Sequence, residues 1–297
     1  MPLLEDGNGL TFEYLPGTAA EAEFLYEEIF THRNYLAHGV EISPTATEPV
    51  VIDVGANIGL FSLLALQCNK SARIFAIEPA QAAYGVLERN LASNECARCF
   101  AVLCKDRAGE AALHCFDDSP GESTCHPRER ESQRTRCFAA ANDQLAAGSS
   151  GLPPRPSVAT VMRVTALTLS DFLAQQTIQH VHLLKIDVEG DELAVLRGLK
   201  SADDWRRIEQ VVLEVHDING RLDACVSLLR RHGFRVKCEQ AKTCSRDGYA
   251  MIVPSSLRLH YVYATRPSPK TEATFRSTET SASASDCHQT SKKRKRR

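Results

Sequence analysis

From Val50 to Ala264, short β-branched and aliphatic runs alternate with stretches in which apolar residues recur at helical spacing. Val50-Val51-Ile52-Asp53 reads as strand one, and an apolar helical pattern begins at Leu60. Arg73 to Glu78 reads as strand two, and Pro79 opens a helix to Asn94, since proline suits a first helical turn. Phe100 to Cys104 reads as strand three, followed by a turn at Gly109 into Ala111–Phe116. The pattern resumes with Val161–Thr165, a helix over Leu169–Gln175, strand four at His182–Asp187 and a helix over Asp191–Leu199. Strand five is Gln210–His216, and a helix over Leu222–His232 stops at Gly233, a common helix terminator. Phe234–Cys238 and His260–Ala264 supply strands six and seven. Continuous apolar strands that alternate with helices predict an α/β fold around a mostly parallel sheet. Ahead of them, Phe24, Leu25, Glu28, Ile29 and Tyr35 fall at near-helical spacing and predict a lid or capping helix over residues 21–35.

Elsewhere the period fails. Residues 1–20 are broken by glycine and proline and read as an irregular N-terminus. Residues 117–157 carry Ser119-Pro120-Gly121, an arginine-rich centre, Gly148-Ser149-Ser150-Gly151 and Pro153-Pro154-Arg155-Pro156, the composition of a disordered, solvated loop. One domain over 21–265, interrupted by that insertion, is therefore expected. A Ser/Thr-rich disordered tail follows over 266–297, and the chain closes in the basic run Lys292 to Arg297.

Composition narrows the class. A formal net charge of −2 argues against a generic polyanion binder, and 43% hydrophobic residues suffice for one core. Eleven cysteines lack the spacing of a secreted disulfide framework, and neither a signal-like segment nor a long apolar run is visible. These features predict an intracellular, cytoplasmic protein with mostly free thiols. Cys96 and Cys99, with Cys104, His114 and Cys115 nearby, mimic half of a zinc site whose second half is missing. The basic end resembles a nuclear localisation signal that an import receptor would read, or equally a solubilising terminus.

The most specific chemistry lies where strand one ends, in Asp53-Val54-Gly55-Ala56-Asn57-Ile58-Gly59. A strand, a glycine-rich turn and a helix start follow directly on one another, and strand two ends in Glu78, suited to the hydroxyls of a ribose. Asp53 stands where a dinucleotide fingerprint has its first glycine, and a carboxylate beside a pyrophosphate is repulsive. It would suit a nucleoside cofactor with an ammonium group and no phosphate, which points to S-adenosyl-L-methionine. Asp53, Gly55, Ala56, Asn57, Gly59 and Glu78 form the expected cofactor site. Asp106 stands where it could meet the adenine amino group, and Tyr35 and Phe61 could pack either the adenosine or the core.

The chain resembles the FkbM-type methyltransferases. The resemblance rests on Phe30-Thr31-His32-Arg33-Asn34-Tyr35 and Val51 through Ser62, on Leu184-Lys185-Ile186-Asp187-Val188-Glu189-Gly190-Asp191-Glu192 through Gly198, and on Val211 through His216 with Tyr261–Ala264. It implies a class I, Rossmann-like fold with a seven-stranded, mostly parallel sheet and helices on both faces. It also implies S-adenosylmethionine-dependent methyl transfer, usually to a hydroxyl oxygen, without specifying a substrate.

Open α/β sheets bind ligands beyond the carboxyl ends of their strands, where Asp53, Glu78, Asp187 and His216 stand. Lys185 shares a strand face with Asp187, as Glu214 does with His216, by the two-residue period. With strands four and five beside strand one, as the resemblance implies, Asp187, Glu189, Glu214 and His216 are expected to cluster at the transferred methyl group. His216 is the first candidate for general base, since imidazole titrates near neutrality, and Asp187 the second. Lys185 is read as neutralising Asp187 or Glu214 inside the sheet. The acids and the imidazole could hold a divalent ion, but their spacing is not a metal motif, so that reading is not favoured. The expected acceptor is a hydroxyl on a small molecule or glycan. The alternatives are a nucleic-acid methyltransferase, which the acidic Asp187–Gly190 turn disfavours, and a non-catalytic Rossmann-like binding module.

Overall fold

The structure is a computed structural model that describes residues 1–6, 9–116, 119–133, 159–241, 244–246, 249–251 and 258–267. Met1–Thr265 form one compact unit. Its central sheet has seven strands, numbered here β1 (Val50–Val54), β2 (Arg73–Ile77), β3 (Ala97–Phe100), β4 (Val181–Ile186), β5 (Ile208–His216), β6 (Arg235–Gln240) and β7 (Leu259–Thr265). They lie in the order β6-β7-β5-β4-β1-β2-β3, and β7 runs antiparallel to both its neighbours while the β5-β4-β1-β2-β3 pairs are parallel. The helices are α1 (Ala19–Tyr26), α2 (Leu60–Cys68), α3 (Gln81–Leu91), α4 (Leu169–Gln175), α5 (Glu192–Arg197), α6 (Ala202–Arg206) and α7 (Arg221–Arg231).

Side-chain alternation explains why both faces are covered. Val51, Ile74, Leu183 and Val212 point to one core, which is completed by Leu60, Phe61 and Leu64 of α2 and Leu87 and Leu91 of α3. Their neighbours Ile52, Leu184, Val211 and Leu213 point to the other, against Phe172 of α4, Val195 of α5 and Leu229 of α7. Strands buried on both sides are mostly apolar, and the buried charged exceptions Asp53, Lys185, Glu214 and His216 lie toward their carboxyl ends. Among the described residues no helix is long and apolar enough to cross a membrane.

Three expectations change. The apolar run Phe100–Cys104 is split: Phe100 ends β3, whereas Leu103–Cys104 pairs with Ala159–Leu167 in a separate three-stranded sheet completed by Gly109–Phe116. A small core of Ala80, Ala83, Leu103, Leu113, Val164 and Ala166 draws it there. The irregular N-terminus contains a strand pair, Leu3–Glu5 with Thr11–Glu13, anchored where Glu13 N–H donates to Asn90 Oδ1 at 2.7 Å. The insertion is not irregular at its start, where Pro120–Glu122 forms a 3₁₀ turn, Thr124 bridges His114 and residues 127–133 are helical. The remainder of the insertion from 134, and the tail from 268 with its basic end, lie outside the described residues.

Candidate active site

At the carboxyl edge of the sheet, the turn after β1 is built by backbone conformations that side chains resist. Gly55 and Gly59 have φ of 76° and 92°, and Asn57, with φ of 49°, occupies the left-handed region that asparagine tolerates. A Cβ on Gly55 would lie 1.7 Å from the carbonyl oxygen of Asp187, and one on Gly59 2.7 Å from Leu87. These glycines therefore admit the end of β4 and helix α3. The turn's N–H groups also face inward: Gly55 and Ala56 both donate to Ile77 O at 3.0 Å, and Asn57 donates to Glu78 Oε2 at 2.9 Å. A pyrophosphate would find those donors taken, whereas a cofactor without phosphate does not need them. Glu78 accepts from Ala80 N–H at 2.8 Å as well, so each carboxylate oxygen keeps acceptor capacity for a ribose hydroxyl. Burial pushes the Glu78 carboxyl up to about 7, against the lowering effect of those two N–H groups.

Asp53 departs from its expected role. It is fully buried, accepts from Ser62 Oγ at 2.8 Å and faces Lys185 Nζ at 3.1 Å, so it is an internal anchor and does not meet a cofactor ammonium. The lysine already supplies the cation its charge requires. Lys185 also donates to Gly55 O at 2.7 Å and lies 3.5 Å from Asp187 Oδ2. Burial lowers the lysine's pKa, but Asp53 and Asp187 outweigh that and leave it above its ordinary value, firmly charged. Lys185 thus faces two carboxylates, Asp53 and Asp187.

Tyr35 and Phe61 belong to the core, not to an adenosine pocket: both are buried, and their rings meet edge to face at 5.6 Å. The Tyr35 hydroxyl reaches two acids, Asp187 Oδ2 at 2.9 Å and Glu214 Oε2 at 3.0 Å. Glu28 joins them from below, accepting a hydrogen bond from Tyr261. A π-helical turn over Glu27–Thr31 turns Glu28 inward, and burial is the main cause that pushes its carboxyl up to about 7. Asp106 lies in a bend beyond Leu103–Cys104, half-buried, with its carbonyl accepting from Lys200.

The expected cluster of Asp187, Glu189, Glu214 and His216 divides. Asp187 and Glu214 share Tyr35, while His216 turns to Glu189 Oε2 at 3.2 Å and Glu192 Oε1 at 3.4 Å. The cause is local: Glu189 and Gly190 have φ of 51° and 112°, which swings the chain back beneath the end of β5. Burial alone would lower the His216 pKa, but the two carboxylates raise it above the ordinary value. With both ring nitrogens facing carboxylates, His216 is less available than expected to take a proton from an acceptor. Glu189 is pushed up by burial and down by Arg130 and His216, with burial prevailing in that balance. Its Oε2 lies 3.1 Å from Arg130 and 3.2 Å from His216.

The residues that close the group around Glu189 and His216 were not foreseen from the chain's pattern. Thr124 donates to Glu189 O at 2.6 Å, Arg130 bridges Glu122 and Glu189, and Glu129 meets Arg221 at 2.7 Å. His126 reaches Asp191 Oδ1 at 2.8 Å, opposite Lys105 on Oδ2 at 3.1 Å. Residues 119–133 therefore run from the glycine-rich turn, where Gly121 lies against Asn57, across to α5 and α7. The one signal available for Glu28 was a glutamate in the apolar phase of the helical pattern expected over residues 21–35; none existed for residues 119–133.

Comparison with known proteins accords with this geometry. The methyltransferase FkbM domain matches residues 53–236. The chain is 39% identical over 236 residues to 31-O-demethyl-FK506 methyltransferase FkbM of Streptomyces tacrolimicus, covering 78% of this chain and 88% of that protein. It is 34% identical over 248 residues to methyltransferase sdnD of Sordaria araneosa, covering 78% and 89%. Identity to methyltransferase 1 of Beauveria bassiana is 30% over 228 residues, covering 76% and 86%.

Proposed function

The chain belongs to the FkbM methyltransferase family, and from that premise we propose that this S-adenosylmethionine-dependent enzyme methylates a hydroxyl oxygen of a small molecule or glycan, with Asp187 as the proton acceptor. The observation that carries the reading is the asymmetry of the Asp187 carboxylate. Its Oδ2 is held by Tyr35 and faced by Lys185, whereas no described residue bonds its Oδ1, and the side chain is 23% exposed beside the glycine-rich turn.

When bound, S-adenosylmethionine supplies a methyl group already activated as a sulfonium. The chain's own residues then have two tasks, alignment of the acceptor oxygen and removal of its proton. Glu78 would hold the ribose. Asp187 Oδ1 would accept the acceptor's hydrogen bond and then its proton, with the Lys185 ammonium beside the other oxygen. Glu189, His216 and Arg130 neutralise one another at the rim and tie down residues 119–133, which limits water at the reacting atoms. Lys185 occupies the space between Asp53 and Asp187 where a cation would otherwise sit, so the proposed transfer proceeds without a divalent ion.

The test is transfer from methyl-labelled S-adenosylmethionine to a panel of hydroxylated metabolites and glycans that includes 31-O-demethyl-FK506, with and without EDTA. Label in an alkali-stable methyl ether, unaffected by chelation, is expected. Label found only in nucleic acid would overturn the acceptor class, and activity restored only by Mg²⁺ would overturn the metal-free mechanism.

A further inference from the structure

One proton has to serve two acids at Tyr35. The hydroxyl has a single hydrogen, yet Asp187 Oδ2 at 2.9 Å and Glu214 Oε2 at 3.0 Å both lie at hydrogen-bonding distance. If both acids were ionised, one carboxylate oxygen would face the phenol's lone pairs with no hydrogen between them, inside the protein. A second proton must therefore reside on one of the two acids. Lys185 identifies which, because its ammonium lies 3.5 Å from Asp187 Oδ2 but forms no ion pair with Glu214. The charge belongs on Asp187 and the proton on Glu214.

Resting on the proposed role of Asp187, we propose that Tyr35 is a positioning residue: neutral Glu214 donates to the Tyr35 hydroxyl, which donates to Asp187 Oδ2 and so aims Oδ1 at the acceptor hydroxyl. The surrounding groups favour this order. Glu214 is 8% exposed, on β5, and its carboxyl is held well above the usual range by burial first and then by Asp187, Glu28 and Glu189. Burial likewise holds the Tyr35 phenol above its ordinary value, so it remains a donor. Tyr261 of β7 meets the Tyr35 ring edge to face at 5.6 Å and spends its own hydroxyl proton on Glu28. Asp53 of β1 is occupied by Lys185 and Ser62. The ring of Tyr35 also lies 5.4 Å from Lys185 Nζ, so the same side chain separates the charged pair from the neutral acid.

Glu214→Gln separates this reading from a merely structural one, because an amide N–H can replace the donating acid but not an ionised carboxylate. Infrared difference spectra of the full chain labelled with ¹³C-glutamate, wild type minus Glu214→Gln, should show a protonated carboxyl at pH 7.5. An ionised carboxylate in that difference would overturn the proposal whatever the acceptor proves to be. In the transfer assay, Tyr35→Phe should lower kcat about 10- to 100-fold, with the KM for acceptor and the Kd for S-adenosylmethionine within about threefold of wild type. Glu214→Gln should stay within about threefold of wild type and Glu214→Leu should fall with Tyr35→Phe. Equal losses in Glu214→Gln and Glu214→Leu, or a Tyr35→Phe variant with unchanged kcat, would refute the positioning role. Full activity in Asp187→Asn would refute the base assignment separately, while the infrared result would still locate the proton.

Discussion

Two groups of charged residues sit at the same edge of the sheet and are built differently. The first, around Lys185, draws Asp53, Asp187 and Glu214 from or just beyond three neighbouring strands, and its geometry follows from strand alternation. The second, around Glu189 and His216, is completed by Arg130, Thr124 and His126 from a segment between the two longest strands of a separate sheet. A group made of sheet residues is fixed once the strands pair; a group that includes a crossing segment is fixed only when that segment lands. Loss of the central lysine should therefore destabilise the whole domain in the first case, and loss of a crossing-segment residue should loosen only a local strap in the second.

Removal of the lysine puts the largest load on that distinction. Lys185→Met leaves Asp53 buried without its cation and should destabilise the domain by about 3–5 kcal/mol in urea unfolding. A loss below about 1 kcal/mol would place the two groups on the same footing. Next, Asp187→Asn should slow methyl transfer by about 10²–10⁴-fold while the Kd for S-adenosylmethionine, measured by calorimetry, stays near wild type. Arg130→Ala should cost about 1–3 kcal/mol, and hydrogen exchange should increase over 119–133 but not over the central strands. Exchange that spreads into β4 and β5 would show that the strap and the sheet unfold together.

A smaller effect should appear as pH dependence. His216 has a raised pKa in the folded protein, so its stabilising contribution is complete below the unfolded imidazole value of about 6.5. It should be lost as pH rises through the folded value. Urea midpoints for the wild type should fall across that interval, and His216→Gln should flatten the decline; equal slopes would show that the imidazole stays neutral. The smallest change is expected for His126→Ala, where a side chain 35% exposed pairs with Asp191 and should contribute less than about 1 kcal/mol.

How legible each group was in the sequence follows the same division. Strand alternation placed Lys185 on one face with Asp187, and the strand order implied by the family resemblance put both near the glycine-rich turn. It could not show that Asp53 would be consumed by Lys185, because that contact depends on β4 lying next to β1 with Asp53 opposite Lys185. Residues 128–136 read as a solvated charge run because the chain's pattern set no distant partner beside them. Glu129 and Arg130 find theirs in Arg221 and Glu189, each more than fifty residues away. His216 looked like a base since an isolated imidazole titrates near neutrality, whereas in the fold both its nitrogens face carboxylates, Glu189 and Glu192.

The amino-acid sequence by itself determined the central strands other than β3, the glycine-rich turn, the acid at the end of β2 and the helices on both faces. Each depends on interactions within a few residues or on a hydrophobic period that any burying surface would satisfy. Only the tertiary structure decided which acid keeps a free oxygen, which carries a proton and which is neutralised. Those outcomes depend on electrostatic contacts of 3–4 Å between elements remote in the chain, and a shift of one strand or one turn would redistribute them.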